Sequence, residues 1–133
     1  MTELKQGLPP VARTDARVLI LGSLPGEASL KAERYYAHPQ NHFWRLLGCV
    51  LGEELAALPY AERLALLQNR RIALWDVIGR ARRHGSLDSE LRDIKARDLP
   101  AFAASLPVLR AIAFNGQTAA KLGRKALGPT PLA

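Results

Sequence analysis

LGSLPGEASLKAERYYAHPQNHFW, running from Leu21 to Trp44, is the stretch on which the rest of the chain depends. It opens where an apolar strand, Val18-Leu19-Ile20-Leu21, runs into Gly22-Ser23-Leu24-Pro25-Gly26. A small-residue turn at the carboxyl end of a buried strand is where open α/β sheets place their ligand sites. Glycines there let backbone N–H groups come close to a ligand. Further on, Tyr35 and Tyr36 supply flat faces on which a base can stack. If the segment is extended, the two rings point to opposite sides. The stretch closes at Asn41, which can cap the amphipathic helix that follows. The simpler alternative is a strand-to-helix loop carrying core aromatics and no site.

Working outward, Arg17 to Leu21 is a strand whose unbroken apolar run implies burial on both faces, as in a parallel sheet. Residues 1–16 read as an extended lead-in, since Gly7, Pro9 and Pro10 exclude a regular helix. A long loop spans Gly26 to Pro39, with a helical turn around Ala28 to Arg34. After it, Phe43, Trp44, Leu46, Leu47, Val50 and Leu51 give a helix a broad buried face, and Gly52 stops it. A second helix is predicted over Tyr60 to Gln68, with Leu64, Leu66 and Leu67 inward. RIALWDVI, Arg71 to Ile78, is a second strand; Asp76 near its end reads as a loop anchor rather than a site residue. The basic run Arg80, Arg82, Arg83, His84 follows in a loop on the rim of the first turn. Ser86 is expected to cap a short helix through Leu91. Asp98 opens a helix over Leu99 to Ser105, Leu109 to Phe114 is a third strand, and Asn115-Gly116 starts a helix from Gln117 to Ala126. Gly128-Pro129-Thr130-Pro131 then breaks regular structure. Strands alternating with helices predict an α/β fold, three layers with a central parallel sheet, in a single domain over residues 1–133.

Composition bounds the function classes. With 133 residues, the chain has room for one core. A net charge of +7, from 19 basic and 12 acidic residues, suggests a polyanionic partner. Lys31, Arg34, Arg80, Arg82 and Arg83 are the candidate phosphate contacts, with solvated surface charge as the alternative. The single cysteine, Cys49, permits no internal disulfide and suits a reducing cytoplasm. One cysteine and three scattered histidines offer no zinc spacing, so no metal is expected. No run approaches the ~20 apolar residues of a membrane span.

Two segments carry a family resemblance, Gly22-Ser23-Leu24-Pro25-Gly26 and Tyr35-Tyr36-Ala37-His38-Pro39-Gln40-Asn41-His42-Phe43-Trp44, and weaker ones follow: Leu74-Trp75-Asp76-Val77-Ile78 with Gly85-Ser86-Leu87-Asp88, and Phe114-Asn115-Gly116. Together they resemble the uracil-DNA glycosylase superfamily, and within it the hypoxanthine-DNA (deoxyinosine) glycosylase branch. The resemblance covers roughly Leu8 to Leu127. The mismatch-specific uracil glycosylases have a similar HPxNxFW run but Asn at the position of Ser23, and the classical enzymes carry Asp in that turn. The resembled fold has a fourth parallel strand followed by a Ser/Pro-rich loop that enters the DNA groove. Nothing here matches either, so the C-terminal strand and loop are expected to be missing from this chain.

What the resemblance implies is a monomeric, monofunctional DNA glycosylase without cofactor. It would flip a deaminated base, hypoxanthine or uracil, out of duplex DNA and hydrolyse its N-glycosidic bond. Tyr36 matches the position that stacks on the flipped base. Gly22, Leu24, Pro25, Gly26, Phe43 and Asn115 complete the implied base-binding set. Ser23 stands where relatives position water, but a hydroxyl without a partner is a poor base. Asn41 is then the next polar candidate, either as a site residue or as a helix cap whose oxygen is taken. No lysine lies within GSLPG or YYAHPQNHFW, which argues against a lyase nucleophile. The rival reading is a catalytically inert nucleic-acid-binding module on the same fold. A mononucleotide-binding enzyme is weaker, because GxGxxG and GxxxxGK[ST] are absent.

Overall fold

The computed structural model describes residues 4–39 and 41–128. In chain order the elements are β1 (Leu4–Gln6), β2 (Val18–Gly22), α1 (Glu27–Ala32), α2 (Phe43–Leu51), α3 (Tyr60–Asn69), β3 (Ile72–Asp76), β4 (Ile78–Arg82), β5 (Arg92–Ala96), α4 (Leu99–Ala104), β6 (Ala111–Phe114) and α5 (Gln117–Leu127). Short 3-10 turns lie at Leu55–Ala57 and Asp88–Glu90.

The apolar run of β2 makes it the centre of a parallel sheet in the order β3-β2-β6. Its side chains alternate between two cores. Leu19 and Leu21 join Ala73, Val77, Leu99, Leu106, Leu109 and Ala119 beneath α4 and α5. Ile20 packs on the opposite side, with Tyr35, Trp44, Leu67, Ile72 and Leu74 beneath α2 and α3. Helices therefore cover both faces, giving the three layers expected. From β2 the chain crosses first to β3 on one side and later to β6 on the other. That reversal leaves a crevice at the carboxyl end of β2, where ligand sites form in open α/β sheets.

Beyond this sheet the structure departs from the sequence reading. Arg71 to Ile78 is not one strand. The Val77 N–H donates to the Gly22 carbonyl at 2.8 Å, and the chain turns there into β4. β4 centres a second, antiparallel sheet in the order β1-β4-β5. Thus Arg80 and Arg82 sit on a strand, not in a loop, while Ile78 and Ala81 pack on Leu24 and Leu91. The extended lead-in contributes β1 and then threads along the sheet, its Val11 bridging Leu74. β5 escaped prediction because all five residues are exposed, leaving no apolar alternation to read.

The helices hold closer to expectation. Gly52 ends α2 in the left-handed region, at φ 72°. The reversal presses Glu53 onto the helix so closely that a Cβ on Gly48 would lie 2.4 Å from the Glu53 carbonyl oxygen. The buried face of α2 is narrower than predicted: Leu46 is 63% and Val50 81% exposed. Asp98 caps α4 as read, its carboxylate accepting the Ala101 N–H at 3.1 Å. Among the described residues the parallel sheet has three strands and no helix is long and apolar enough to cross a membrane. The break read at Pro129–Pro131 lies outside the described residues.

Candidate active site

The crevice at the end of β2 is a cavity of about 560 Å³. Its floor is the carboxyl ends of all three parallel strands: Gly22 at the end of β2, Asp76 at the end of β3 and Asn115 after β6. The turn Ser23–Gly26 and the start of α1 form one wall. Tyr35, Tyr36, His38 and Asn41 form another, and Ser86, Leu87 and Asp88 close a third side.

Tyr35 and Tyr36 do not point to opposite sides: their ring centroids lie 6.3 Å apart, and both line the cavity and pack in the same core cluster. Tyr36 adopts φ 53°, so the segment is kinked rather than extended. A left-handed tyrosine is an uncommon conformation of the kind that functional sites retain. The kink sends Tyr35 into the core, where it is 3% exposed and its hydroxyl donates to the Pro9 carbonyl at 2.7 Å. Burial drives the Tyr35 phenol pKa far above its usual range. Tyr36, less buried, lines the cavity beside it. Its ring lies 3.7 Å from that of Phe43, tilted by 21°, and its hydroxyl is hydrogen-bonded to the Asn115 side chain. Burial pushes its pKa up to about 12. Phe43 does not line the cavity. Its expected contact with the base is therefore corrected: it backs Tyr36.

The Asn41 oxygen accepts the Phe43 N–H at 2.8 Å, two residues on, so it braces the entry to α2. That bond takes one of the two lone pairs of the oxygen and neither amide N–H. Asn41 also lines the cavity, so bracing the helix and facing a ligand are compatible.

Three polar groups acquire meanings the sequence did not show. Ser23 is not alone: its hydroxyl donates to Asp88 Oδ1 at 2.8 Å. Asp76 is 2% exposed, and its Oδ2 has no partner among the described residues. Burial pushes its pKa from 3.8 up to about 7, against the opposing pull of Arg97 and of a hydrogen bond from the Leu8 backbone. Arg83 is wholly buried, which corrects its assignment as a surface phosphate contact. Its guanidinium donates to the carbonyls of Leu24, Pro25 and Gly85. It thereby ties the turn after β2 to the loop after β4. Ser86 adds a second tie by accepting the Glu27 N–H at 2.9 Å, instead of capping a helix of its own. The other predicted cations stay outside the cavity. Lys31 and Arg34 are exposed, with Arg34 placed over the Tyr60 ring, and Arg82 lies 3.4 Å from Asp93.

The sequence model of the uracil DNA glycosylase superfamily matches residues 9–131, nearly the whole chain. The chain belongs to this superfamily. Two curated relatives named hypoxanthine DNA glycosylase are similar to it. One, from Methanosarcina barkeri (strain Fusaro / DSM 804), is 42% identical over 113 residues, 85% of this chain and 72% of that protein. The other, from Methanosarcina acetivorans, is 41% identical over 116 residues, covering 87% and 73%. A solution NMR structure of a candidate uracil DNA glycosylase from Methanosarcina acetivorans superposes with a TM-score of 0.85 at 39% identity, over 95% of this chain and 78% of that one.

Membership in the uracil DNA glycosylase superfamily agrees with the geometry at the segments quoted for it. GSLPG and YYAHPQNHFW do converge on one cavity, and Asn115 reaches it from the third strand. Asp88 is the residue sequence reasoning passed over, and Asp76, read from sequence as a loop anchor rather than a site residue, lines the cavity as well. Both lie in segments noted for their resemblance, Gly85–Asp88 and Leu74–Ile78. Only the packing shows that their carboxyls meet the same space as Ser23.

Proposed function

We propose that this chain is a monofunctional DNA glycosylase that excises hypoxanthine, by hydrolysing the bond between the base and its deoxyribose. The observation that carries this reading is the convergence of Tyr36, Asn41, Ser23 and Asp88 on one cavity at the carboxyl end of β2. The names of the two Methanosarcina relatives supply the base. A flipped purine enters the crevice and stacks on Tyr36, whose far side Phe43 supports. The polar floor, Asp76 and Asn115, faces the edge of the base. Asn41 donates from its amide to the leaving base, in the positive field at the start of α2. Arg80 and Arg82 on β4, with Lys31 and Arg34, meet the phosphates, and the +7 net charge favours the duplex at long range. The protein acts as a monomer.

The test is excision from duplex oligonucleotides carrying hypoxanthine or uracil, with alkaline cleavage exposing abasic sites. Hypoxanthine release that fails in Tyr36→Ala supports the reading. Duplex binding without release of either base overturns it in favour of an inert binding module.

A further inference from the structure

A hydroxyl at Ser23 leaves the turn after β2 without a group able to take a proton, and the loop after β4 supplies one. Ser23 Oγ donates its only proton to Asp88 Oδ1 at 2.8 Å. Its lone pairs are therefore what it has left to turn toward the cavity both residues line. The arrangement is built rather than incidental. Arg83, with its side chain fully buried, lies 3.9 Å from Asp88 Oδ1 and bonds the carbonyls of Leu24 and Pro25 on one loop and Gly85 on the other. The Glu27–Ser86 hydrogen bond joins the same two loops again.

We propose that Ser23 and Asp88 act as a relay that takes the proton of the attacking water, with Asp88 as its terminal acceptor. This rests on the glycosylase reading above. As the C1′–N9 bond breaks, its electron pair leaves with the base. The water oxygen forms the new bond to C1′. The water proton passes to Ser23 Oγ while the Ser23 proton passes to Asp88 Oδ1. The base departs as an anion and is protonated by solvent. Asp88, whose side chain is 39% exposed, returns its proton to water. Arg83 is a positioning residue that lies against Asp88 and fixes its distance from Ser23.

Asp88→Asn separates the relay from a structural tie, because the amide oxygen still accepts from Ser23 but cannot take the proton. Single-turnover excision of hypoxanthine, duplex Kd and melting temperature are measured on the same samples of the full chain. In the expected result Asp88→Asn melts with wild type and binds DNA at least as tightly, yet excises slower by roughly 10²-fold or more. Asp88→Glu recovers much of the rate. Ser23→Ala loses a similar factor, and the double variant loses no more than either single one, as for groups that act as a unit. Excision by Asp88→Asn within about threefold of wild type overturns the relay, as do Ser23→Ala and Asp88→Asn losses that multiply. If Asp88→Asn misfolds, the comparison of Ser23→Ala with Asp88→Glu decides: a full rate in Ser23→Ala overturns the relay. Wild type that excises nothing removes the glycosylase reading and the relay together, whereas wild type and Asp88→Asn excising alike removes the relay alone.

Discussion

Replacing Asp76 by asparagine should stabilise the protein at neutral pH and remove much of the dependence of its stability on pH. The carboxyl is 2% exposed at the end of β3, and one of its oxygens is unpartnered among the described residues. Burial raises its folded pKa to about 7 from an ordinary 3.8. Between those values the folded protein holds a proton that the unfolded chain releases, so unfolding becomes easier as pH rises. Stability from this group is complete below pH 3.8, declines through the window, and reaches its floor just above pH 7. At about 1.36 kcal/mol per pH unit, the whole excursion is on the order of 4 kcal/mol, of which roughly 2–3 kcal/mol falls between about pH 5 and pH 8. Asparagine keeps an acceptor for the Leu8 N–H and carries no charge at any pH. Urea unfolding of wild type and Asp76→Asn across that range should show two curves that diverge with rising pH, the variant above. Parallel curves would refute the argument, because the carboxyl would then not be held protonated by its surroundings.

Arg83→Met should cost roughly 3 kcal/mol in urea unfolding, since three carbonyls lose their donor in a buried place, and Arg83→Lys should not restore it, because an ammonium cannot span the fork. Arg80→Glu with Arg82→Glu should weaken binding to duplexes of any sequence and flatten the slope of log K against log salt by about 0.9 for each phosphate no longer neutralised; an unchanged slope would remove β4 from the DNA surface. Tyr36→Ala should lower single-turnover excision by roughly 10- to 100-fold, while Tyr36→Phe, which keeps the ring on Phe43 and loses only the bond to Asn115, should cost much less; equal losses would assign the effect to the hydroxyl.

The parallel core was legible because β2, β3 and β6 are apolar runs and the helices between them carry apolar faces. The second sheet was not. β1 has three residues and β5 is exposed throughout, so neither makes the alternation that marks a half-buried strand. Arg83 misled for a related reason. Nothing in Arg80-Ala81-Arg82-Arg83 distinguishes the arginine that turns inward; two of the three carbonyls that hold it there belong to a turn 58 and 59 residues away. The cavity walls were legible where one contiguous motif supplied them, as with Tyr36 and Asn41. Ser23 remained chemically unexplained until the fold brought in Asp88 from 65 residues on. Long-range pairing of that kind leaves no local periodicity to detect.

The first turn of α2 carries more than a helix. Its Phe43 N–H is held by Asn41, and the ring of the same residue lies against Tyr36. A ring pressed onto Tyr36 is thus felt, through one residue, by the Asn41 amide on the same wall of the cavity. Phe43 thereby joins the aromatic face and the polar amide of the cavity, which are not set independently. Remodelling the pocket for a bulkier guest would then call for changes to Tyr36, Asn41 and Phe43 as a set, with substitutions at any one of them degrading the other two.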